Sequence, residues 1–335
     1  MTSEPLLTVS DLRVQFRMGG IMAGLSGQPT SIEAVAGVSF SLERGRTFAL
    51  VGESGSGKTT LARAVNGLQV AAGGSIRFEG RELRDFSKSD WKPVRRRMSM
   101  MFQDPVGSLS PRLSVRSILA EPFAIHGLSG KDANAEVMRL LALVGLPRDF
   151  ADRYPHQLSG GQARRVGVAR AVALDPVLII ADEPTAGLDV SVQGEVLNLL
   201  NDLRDRMGLS LLIITHNLHV VRQIADSMAV MYLGRFVEEG ETEAIFAAPH
   251  HPYTAALLSA NPEPDPDKVH NRIALPAEVP SLLARPSGCE FHTRCPFAQD
   301  KCAADAPLPA RVGASLFTCH FPLNPETGAA LAGAG

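Results

Sequence analysis

Gly52-Glu53-Ser54-Gly55-Ser56-Gly57-Lys58-Thr59-Thr60 fits the pattern G-x-x-x-x-G-K-[ST], and its neighbours decide how it is read. Thr47-Phe48-Ala49-Leu50-Val51 before it is an apolar run of strand length, and Leu61 to Leu68 after it is a helix-like run. Glycines let successive backbone N–H groups turn inward around the α and β phosphates of a nucleotide. The start of the following helix adds unpaired donors and the positive end of its dipole. Lys58 reaches the β and γ phosphates on this reading, and the Thr59 hydroxyl takes a place on Mg²⁺. A Gly/Ser-rich turn with a solvated lysine is the bland alternative, and the flanking strand and helix argue against it.

The chain of 335 residues is long enough for two structural units. Hydrophobic residues make up 45%, charged residues 20%, and the formal net charge is −2, which gives no sign of a protein that coats nucleic acid or an anionic membrane. No apolar run approaches the roughly 18–20 residues that span a bilayer. Met1-Thr2-Ser3-Glu4-Pro5 lacks the basic-then-apolar order of a signal peptide, so a cytoplasmic location is expected, with any membrane role exercised through partners.

Along the chain, Leu6 to Phe16 and Val35 to Leu42 read as strands, with a long Gly/Ser-rich loop over residues 17–33. Phe16 continues the face of Leu12 and Val14, which predicts a core aromatic. Arg95-Arg96-Arg97 beside Trp91 reads as a solvated basic face. Met98 to Phe102 is a short strand delivering Gln103 to its end, and Leu113 to Gly145 is mostly helical. After Leu158-Ser159-Gly160-Gly161-Gln162 an amphipathic helix runs from Ala163 to Leu174. Val177 to Ala181 then forms an unbroken apolar strand that ends in Asp182-Glu183, and Leu209 to Thr215 is a second such strand, ending at His216. Continuous apolar strands are those of a parallel sheet covered on both faces. Strands alternating with helices make the fold class α/β, with functional groups at the carboxyl ends of the strands.

Those strand ends carry the candidate chemistry. Asp182 is placed to hold the hydration shell of Mg²⁺, and Glu183, one residue on, to orient and deprotonate an attacking water. His216 projects from the same edge toward the γ phosphate, and Gln103 brings an amide toward metal or water. Ser159 to Gln162 form a second anion-binding helix start, yet the molecule already has a phosphate loop. A second device of this kind implies a nucleotide held mainly by another copy, and hence a dimer closed around ATP.

The order phosphate loop, Gln103, LSGGQ, Asp182-Glu183, Gly187-Leu188-Asp189 and His216 resembles the ATPase subunits of ATP-binding cassette (ABC) transporters, over Leu6 to about Gly240. The resemblance implies a P-loop NTPase (RecA-like) core, an antiparallel β subdomain and an inserted helical subdomain at about 104–172. It makes Phe16 the adenine-stacking aromatic, places Gln103 at the lever contacting membrane subunits, sets Ser159 to Gln162 against the partner's ATP, and gives Asp189 the link between the two sites. Gly187 and Asn217 depart mildly from the usual pattern without removing a group assigned to chemistry.

Narrower features are Gly52-Glu53-Ser54, Met101-Phe102-Gln103-Asp104-Pro105, Ser108-Leu109-Ser110-Pro111-Arg112, His251-Pro252-Tyr253-Thr254 and Arg294-Cys295-Pro296. They are similar to the oligopeptide and dipeptide importer ATPases, a group that also includes nickel and glutathione importers, which implies an ATP-hydrolysing subunit for peptide import, with another small solute such as nickel, glutathione or an opine as the alternative cargo. The expectation is a cassette over 1–260 and an extension over 261–335. The protein would lie peripherally on the cytoplasmic side of the inner membrane, with two integral permease subunits, a second cassette ATPase as partner and, indirectly, an extracytoplasmic solute-binding protein. A soluble cassette ATPase of nucleic-acid metabolism is the rival from another class; such chains usually carry two cassettes or a long coiled-coil insertion, and neither is visible here. A metabolic kinase would have no use for LSGGQ.

All four cysteines, Cys289, Cys295, Cys302 and Cys319, fall in the extension. A cytoplasmic chain rarely keeps disulfides. The spacing C-x5-C-x6-C-x16-C lacks the C-x2-C pairs of zinc ribbons, and four looped thiolates suit a [4Fe–4S] cluster, with zinc as the alternative and unrelated buried thiols as the bland one. The resemblance points to the cluster.

Overall fold

The computed structural model describes residues 4–17, 31–87, 89–104, 107–128, 132–260, 273–276 and 278–324. Most of the long loop expected over 17–33, Pro105, the linker prolines at 262, 264 and 266, and the tail from 327 lie outside the described residues.

Two sheets organise the chain. The smaller, in the order β2-β1-β4-β5, is antiparallel and joins β1 (Leu7–Arg17), β2 (Ser31–Leu42), β4 (Gly73–Phe78) and β5 (Arg81–Glu82). β2 begins at Ser31, four residues before the apolar run, because Ser31, Ile32 and Glu33 pair with Arg17, Phe16 and Gln15. Composition hides this, since the strand's first residues bury little side chain.

The larger sheet has the order β11-β12-β10-β9-β3-β8-β7-β6. Its parallel part is β9 (Ser227–Tyr232), β3 (Thr47–Val51), β8 (Ser210–Thr215), β7 (Leu178–Asp182) and β6 (Met98–Met101). Every residue of β3, β7 and β8 is buried, and the two-residue period of a strand sends alternate side chains into opposite cores. Phe48, Leu50, Leu178, Ile180, Leu212 and Ile214 face the core shared with the small sheet and α1 (Lys58–Val65). Ile179, Ala181, Leu211 and Ile213 face the core built by helices. Burial on both faces explains why the sequence shows continuous runs and no alternation. Truncating Ile180 to Ala would cost about 2–5 kcal/mol.

After α2 (Trp91–Arg97), the helical core receives α3 (Val115–Ile125), α4 (Ala133–Leu143), α5 (Gly160–Val172) and α6 (Val190–Met207). Local chemistry sets their limits. Ser114 and Asp132 cap α3 and α4 through side-chain oxygens, and α6 starts at an Asp189 cap and stops at left-handed Gly208. The basic stretch is tied down in part: Arg97 pairs with Glu79 at 2.6 Å, and Arg95 lies over the Trp91 ring.

A third core lies beneath α7 (Leu218–Ile224), α8 (Thr242–Ala247) and α9 (Pro252–Ser259), and includes Tyr253 and Phe291. The C-terminal extension packs into this core. β10 (Arg235–Glu241) continues the sheet from β9, and the hairpin β11 (Pro309–Val312) and β12 (Ser315–Thr318), preceded by α10 (Asp300–Ala304), adds to β10 through Glu238 opposite Phe317 and Glu239 opposite Leu316. The extension is thus continuous with the main sheet.

Candidate functional site

β3 delivers the chain into the loop 52–57, and two glycines there are sterically obligatory. A Cβ on Gly52 (φ +152°) would stand 2.2 Å from the Met231 carbonyl oxygen, and one on Gly57 (φ +105°) 2.3 Å from that of Ala34. α1 follows with no side-chain cap and no acidic residue in its first turn, which leaves its N-terminal donors for an anion. Lys58 is buried, and its Nζ donates to the carbonyl oxygens of Gly52 and Glu53, each at 2.8 Å, and to Ser56 Oγ at 3.2 Å. Burial lowers its pKa, while Glu183, Asp182 and Glu53 act in the opposite sense. The ammonium is therefore held by exchangeable loop carbonyls at the point where phosphates would compete for it.

The neighbouring strands supply the rest. At the end of β7, Asp182 is 2% exposed and accepts from Thr59 Oγ1 at 3.2 Å. Burial raises its pKa, the Thr59 hydrogen bond partly counters this, and the Glu183 charge adds to the rise. Adjacent buried carboxylates with one hydroxyl donor between β7 and the phosphate loop fit the donor set of a hard cation such as Mg²⁺.

Glu183 sits at φ +51°, a strained region for a residue with a Cβ. Its carboxylate is held from β8: Thr215 Oγ1 donates to Oε2 at 3.2 Å, the His216 N–H donates to Oε1 at 3.2 Å, and His216 Nδ1 lies 2.7 Å from Oε1. The His216 ring is otherwise exposed. In this geometry it meets Glu183 first, so the histidine expected to address phosphate also orients the expected base.

Gln103 follows the end of β6 and is exposed. Phe16 corrects the expectation of a core aromatic: Leu12 and Val14 are fully buried, but Phe16 is 40% exposed, because β1 runs past the core it covers. The ring is thus partly exposed near the end of β1.

Ser159 caps α5 and forms a reciprocal pair with Gln162: Ser159 Oγ accepts from the Gln162 N–H at 3.2 Å, and Gln162 Oε1 accepts from the Ser159 N–H at 3.0 Å. Ser159, Gly160, Gly161 and Gln162 line an open cleft of about 620 Å³ together with Gly187, Leu188 and Asp189. Among the described residues, no hydrogen bond or shared cavity connects this cleft to residues 52–60.

Arg164, which sequence reasoning passed over, ties the two halves. It is buried and donates to the carbonyl oxygens of Pro184 at 2.6 Å and Ala186 at 3.0 Å, so the helix after LSGGQ grips the turn after Glu183. Its place on the inward face of α5 was the available signal. Thr215 was equally silent, being one more residue of an apolar strand.

In the extension all four cysteines are free thiols and line one narrow cavity with Phe291, Phe297 and Phe321. Burial raises the pKa of Cys289 and pushes Cys295 up to about 11 and Cys319 up to about 12. Among the described residues no three His, Cys, Asp or Glu side chains stand in an arrangement that could hold a metal ion, and the cavity has room for about one water. The donor chemistry matches a thiolate-bound metal, while the iron–sulfur expectation lacks support beyond that convergence.

Comparison with known proteins agrees with this geometry. The ABC transporter family model matches residues 35–186, and the model for the oligopeptide/dipeptide transporter C-terminal region matches 237–302. The chain is 44% identical over 327 residues to the dipeptide transport ATP-binding protein DppF of Haemophilus influenzae, covering 95% of this chain and 99% of that one. It is 44% identical over 307 residues to the oligopeptide transport ATP-binding protein OppF of Escherichia coli, covering 90% and 92%. Among solved structures, the ATP-binding cassette MJ0796, a dimer in a post-hydrolysis state with ADP and Pi, superposes with a TM-score of 0.62 at 25% identity, over 70% of this chain and 98% of that one. The cbiO1 subunit of the cbiONQ transporter complex from Clostridium perfringens gives 0.63 at 28%, over 73% and 92%. The chain belongs to the ABC transporter ATPases, in the group that carries the oligopeptide/dipeptide transporter C-terminal region.

Proposed function

We propose that this chain is the ATP-hydrolysing subunit that powers peptide import through an ABC transporter, working as one of two cassettes on the cytoplasmic face of the inner membrane. The observation that carries the chemistry is the meeting of Lys58, Thr59, Asp182, Glu183 and His216 at the carboxyl ends of three adjacent parallel strands, β3, β7 and β8. Similarity to DppF and OppF along nearly the whole chain supports peptides as the cargo class.

Residues 52–60 (Gly52, Glu53, Ser54, Gly55, Ser56, Gly57, Lys58, Thr59 and Thr60) wrap the phosphates, with Lys58 moving from the loop carbonyls to the β and γ oxygens. Phe16 stacks on the base. Thr59, Asp182 and Gln103 would hold Mg²⁺, which neutralises phosphate charge when bound. Glu183, fixed by Thr215 and His216, accepts the proton of the attacking water. Ser159, Gly160, Gly161 and Gln162 cap the nucleotide held by the partner cassette, which fits their separation from this chain's own loop. No helix among the described residues is long and apolar enough to cross a membrane. Similarity to peptide-transport ATP-binding proteins supports two permease subunits as the pathway, supplied with cargo by an extracytoplasmic binding protein. The cleft beside Gln103, about 330 Å³ and lined by Met101, Phe102, Ile125 and Arg170, suits a permease segment.

Transport is tested in proteoliposomes containing the permease subunits and both cassettes. ATP-dependent uptake of peptides is expected, and uptake of nickel or glutathione in its place would move the cargo to the alternative class. For the extension we favour a structural [4Fe–4S] cluster on Cys289, Cys295, Cys302 and Cys319, because the four thiols converge on one cavity and bound iron would offset the cost of ionising them there. Protein purified without oxygen should be brown and contain iron and acid-labile sulfide, both lost in Cys295→Ser. Colourless protein with stoichiometric zinc would assign zinc, and metal-free protein would leave the four as buried thiols.

A further inference from the structure

Three motifs far apart in sequence meet at Glu53, the second residue of the phosphate loop. Arg294, in the extension beside Cys295, donates from both terminal nitrogens to the Glu53 carboxylate, at 2.7 Å to Oε2 and 3.0 Å to Oε1. Its side chain is 5% exposed, and hydrogen bonding to Glu53 is the main reason its pKa is raised. Tyr253 adds a second hold, since its hydroxyl accepts from the Glu53 N–H at 3.0 Å and faces Oε2 at 3.4 Å. Lys58 then takes the Glu53 carbonyl. Donor, acceptor and charge of this one residue are all engaged.

The holders are themselves braced. Buried Glu238, on β10, accepts from the N–H groups of His250 and His251, and His251 Nδ1 accepts from the Tyr253 N–H at 3.0 Å. The Tyr253 ring packs on Tyr232 and Phe291, and Phe291 is part of the cysteine-lined cavity. A bidentate guanidinium–carboxylate pair fixes direction as well as distance. It also cancels a negative charge at the mouth of a loop that must receive a polyanion.

We propose that Arg294, with Tyr253, is a positioning residue for nucleotide binding: it holds Glu53, and so the first turn of the phosphate loop, from the C-terminal extension. This rests on the phosphate-loop reading above. The extension then acts on ATP affinity, while the hydrolytic step at Glu183 is left to the cassette.

The test compares ATP dissociation constants and steady-state ATPase kinetics of the full chain for Arg294→Gln, Glu53→Gln, the double variant and Tyr253→Phe. Arg294→Gln leaves an uncompensated carboxylate facing phosphate and should weaken ATP binding about tenfold, the scale of one charge-assisted hydrogen bond. Adding Glu53→Gln should recover part of that loss. Tyr253→Phe keeps the ring packing and should weaken binding by about threefold, a fraction of one neutral hydrogen bond. The turnover number at saturating ATP should stay within about twofold in Arg294→Gln and Tyr253→Phe, because these two residues act on a ground-state pose from outside the phosphate loop. Amide exchange at residues 54–57 should quicken in Arg294→Gln. Unchanged affinity in Arg294→Gln that melts normally, or losses that simply add in the double variant, would overturn the proposal. Should Arg294→Gln fail to fold, Glu53→Gln and Tyr253→Phe decide: affinity unchanged in both rejects the clamp, and losses that overlap in their double variant support it. Lys58→Ala serves as the control, since normal ATP binding there would remove the phosphate-loop reading and the proposal with it, whereas weakened binding there with unchanged affinity in Arg294→Gln rejects the clamp alone.

Discussion

The two turns proposed to bind phosphate, 52–58 and 159–162, share a plan of glycines leading into a helix and differ in how they are held. The phosphate loop is pinned from several directions: Lys58 sits on the carbonyls of Gly52 and Glu53, Arg294 and Tyr253 hold Glu53, and Ser56 accepts from the Gly234 N–H through its carbonyl. The LSGGQ turn relies on its own Ser159–Gln162 cap and opens onto the cleft it shares with Gly187, Leu188 and Asp189. A turn that must recognise a nucleotide alone is pre-organised by its chain, whereas one completed by a second molecule can leave its donors in water until that molecule arrives.

The largest effect is expected at Glu183, the proposed base. Glu183→Gln keeps the side chain's shape, so nucleotide should still bind, while turnover falls by about 10²–10⁴, the range of general-base catalysis. A closed dimer that persists on ATP in size-exclusion chromatography should accompany the loss. Near-normal hydrolysis would take Glu183 out of this role and leave its contacts with Thr215 and His216 as structural bracing.

The next two variants separate the turns directly. Lys58→Ala removes the ammonium that phosphate must recruit, and ATP affinity of the isolated chain should drop by at least tenfold, since a charged hydrogen-bond donor is worth about 1.5–3 kcal/mol. Gly161→Asp should behave in the opposite way. A Cβ there would stand 3.0 Å from Val192 Cγ1, and the carboxylate would face a partner's phosphates. Monomer binding should be intact by fluorescence titration, while hydrolysis in the assembled dimer is lost. If Gly161→Asp weakens monomer binding as much as Lys58→Ala does, the signature turn serves its own chain's nucleotide and the contrast disappears.

Much of this site could be read from sequence for a definite physical reason. Phosphate recognition needs glycines at fixed positions and a cation at one spacing, and a sheet buried on both faces writes its central strands as unbroken apolar runs ending in polar residues. Thus Lys58, Asp182, Glu183 and His216 announced themselves. What stayed hidden depended on long-range pairing. The inward face of α5 marks Arg164 as buried but does not name Pro184 and Ala186 as its partners, and Arg294 lies 241 positions from the glutamate it holds. Tyr253 lay within a quoted motif without a partner to give it a role. Phe16 shows the converse limit, because strand alternation gives the face of a side chain but not whether the core reaches that far. The join of β12 to β10 was likewise silent, because short hairpin strands carry little periodicity of their own.

The finest test of the contrast concerns the cap of the signature helix. The Ser159 hydroxyl accepts from the Gln162 N–H, and as a hydroxyl it still has a proton to donate. On the proposed reading that proton is donated, in the closed dimer, to a phosphate oxygen of the partner's nucleotide. Ser159→Ala removes both bonds, Ser159→Thr keeps both, and Gln162→Ala removes the reciprocal hold on the Ser159 N–H. Loss of the cap in Ser159→Ala should lower monomer stability by about 1 kcal/mol, read by denaturant melting, with ATP affinity of the monomer unchanged. Gln162→Ala should show a similar or smaller loss of stability but retain more dimer ATPase activity than Ser159→Ala, because the donating hydroxyl remains. Equal stability loss and equal activity loss in the two variants would mean that the turn contributes through its shape alone. Greater activity loss in Ser159→Ala, restored by Ser159→Thr, would assign a direct contact to the hydroxyl.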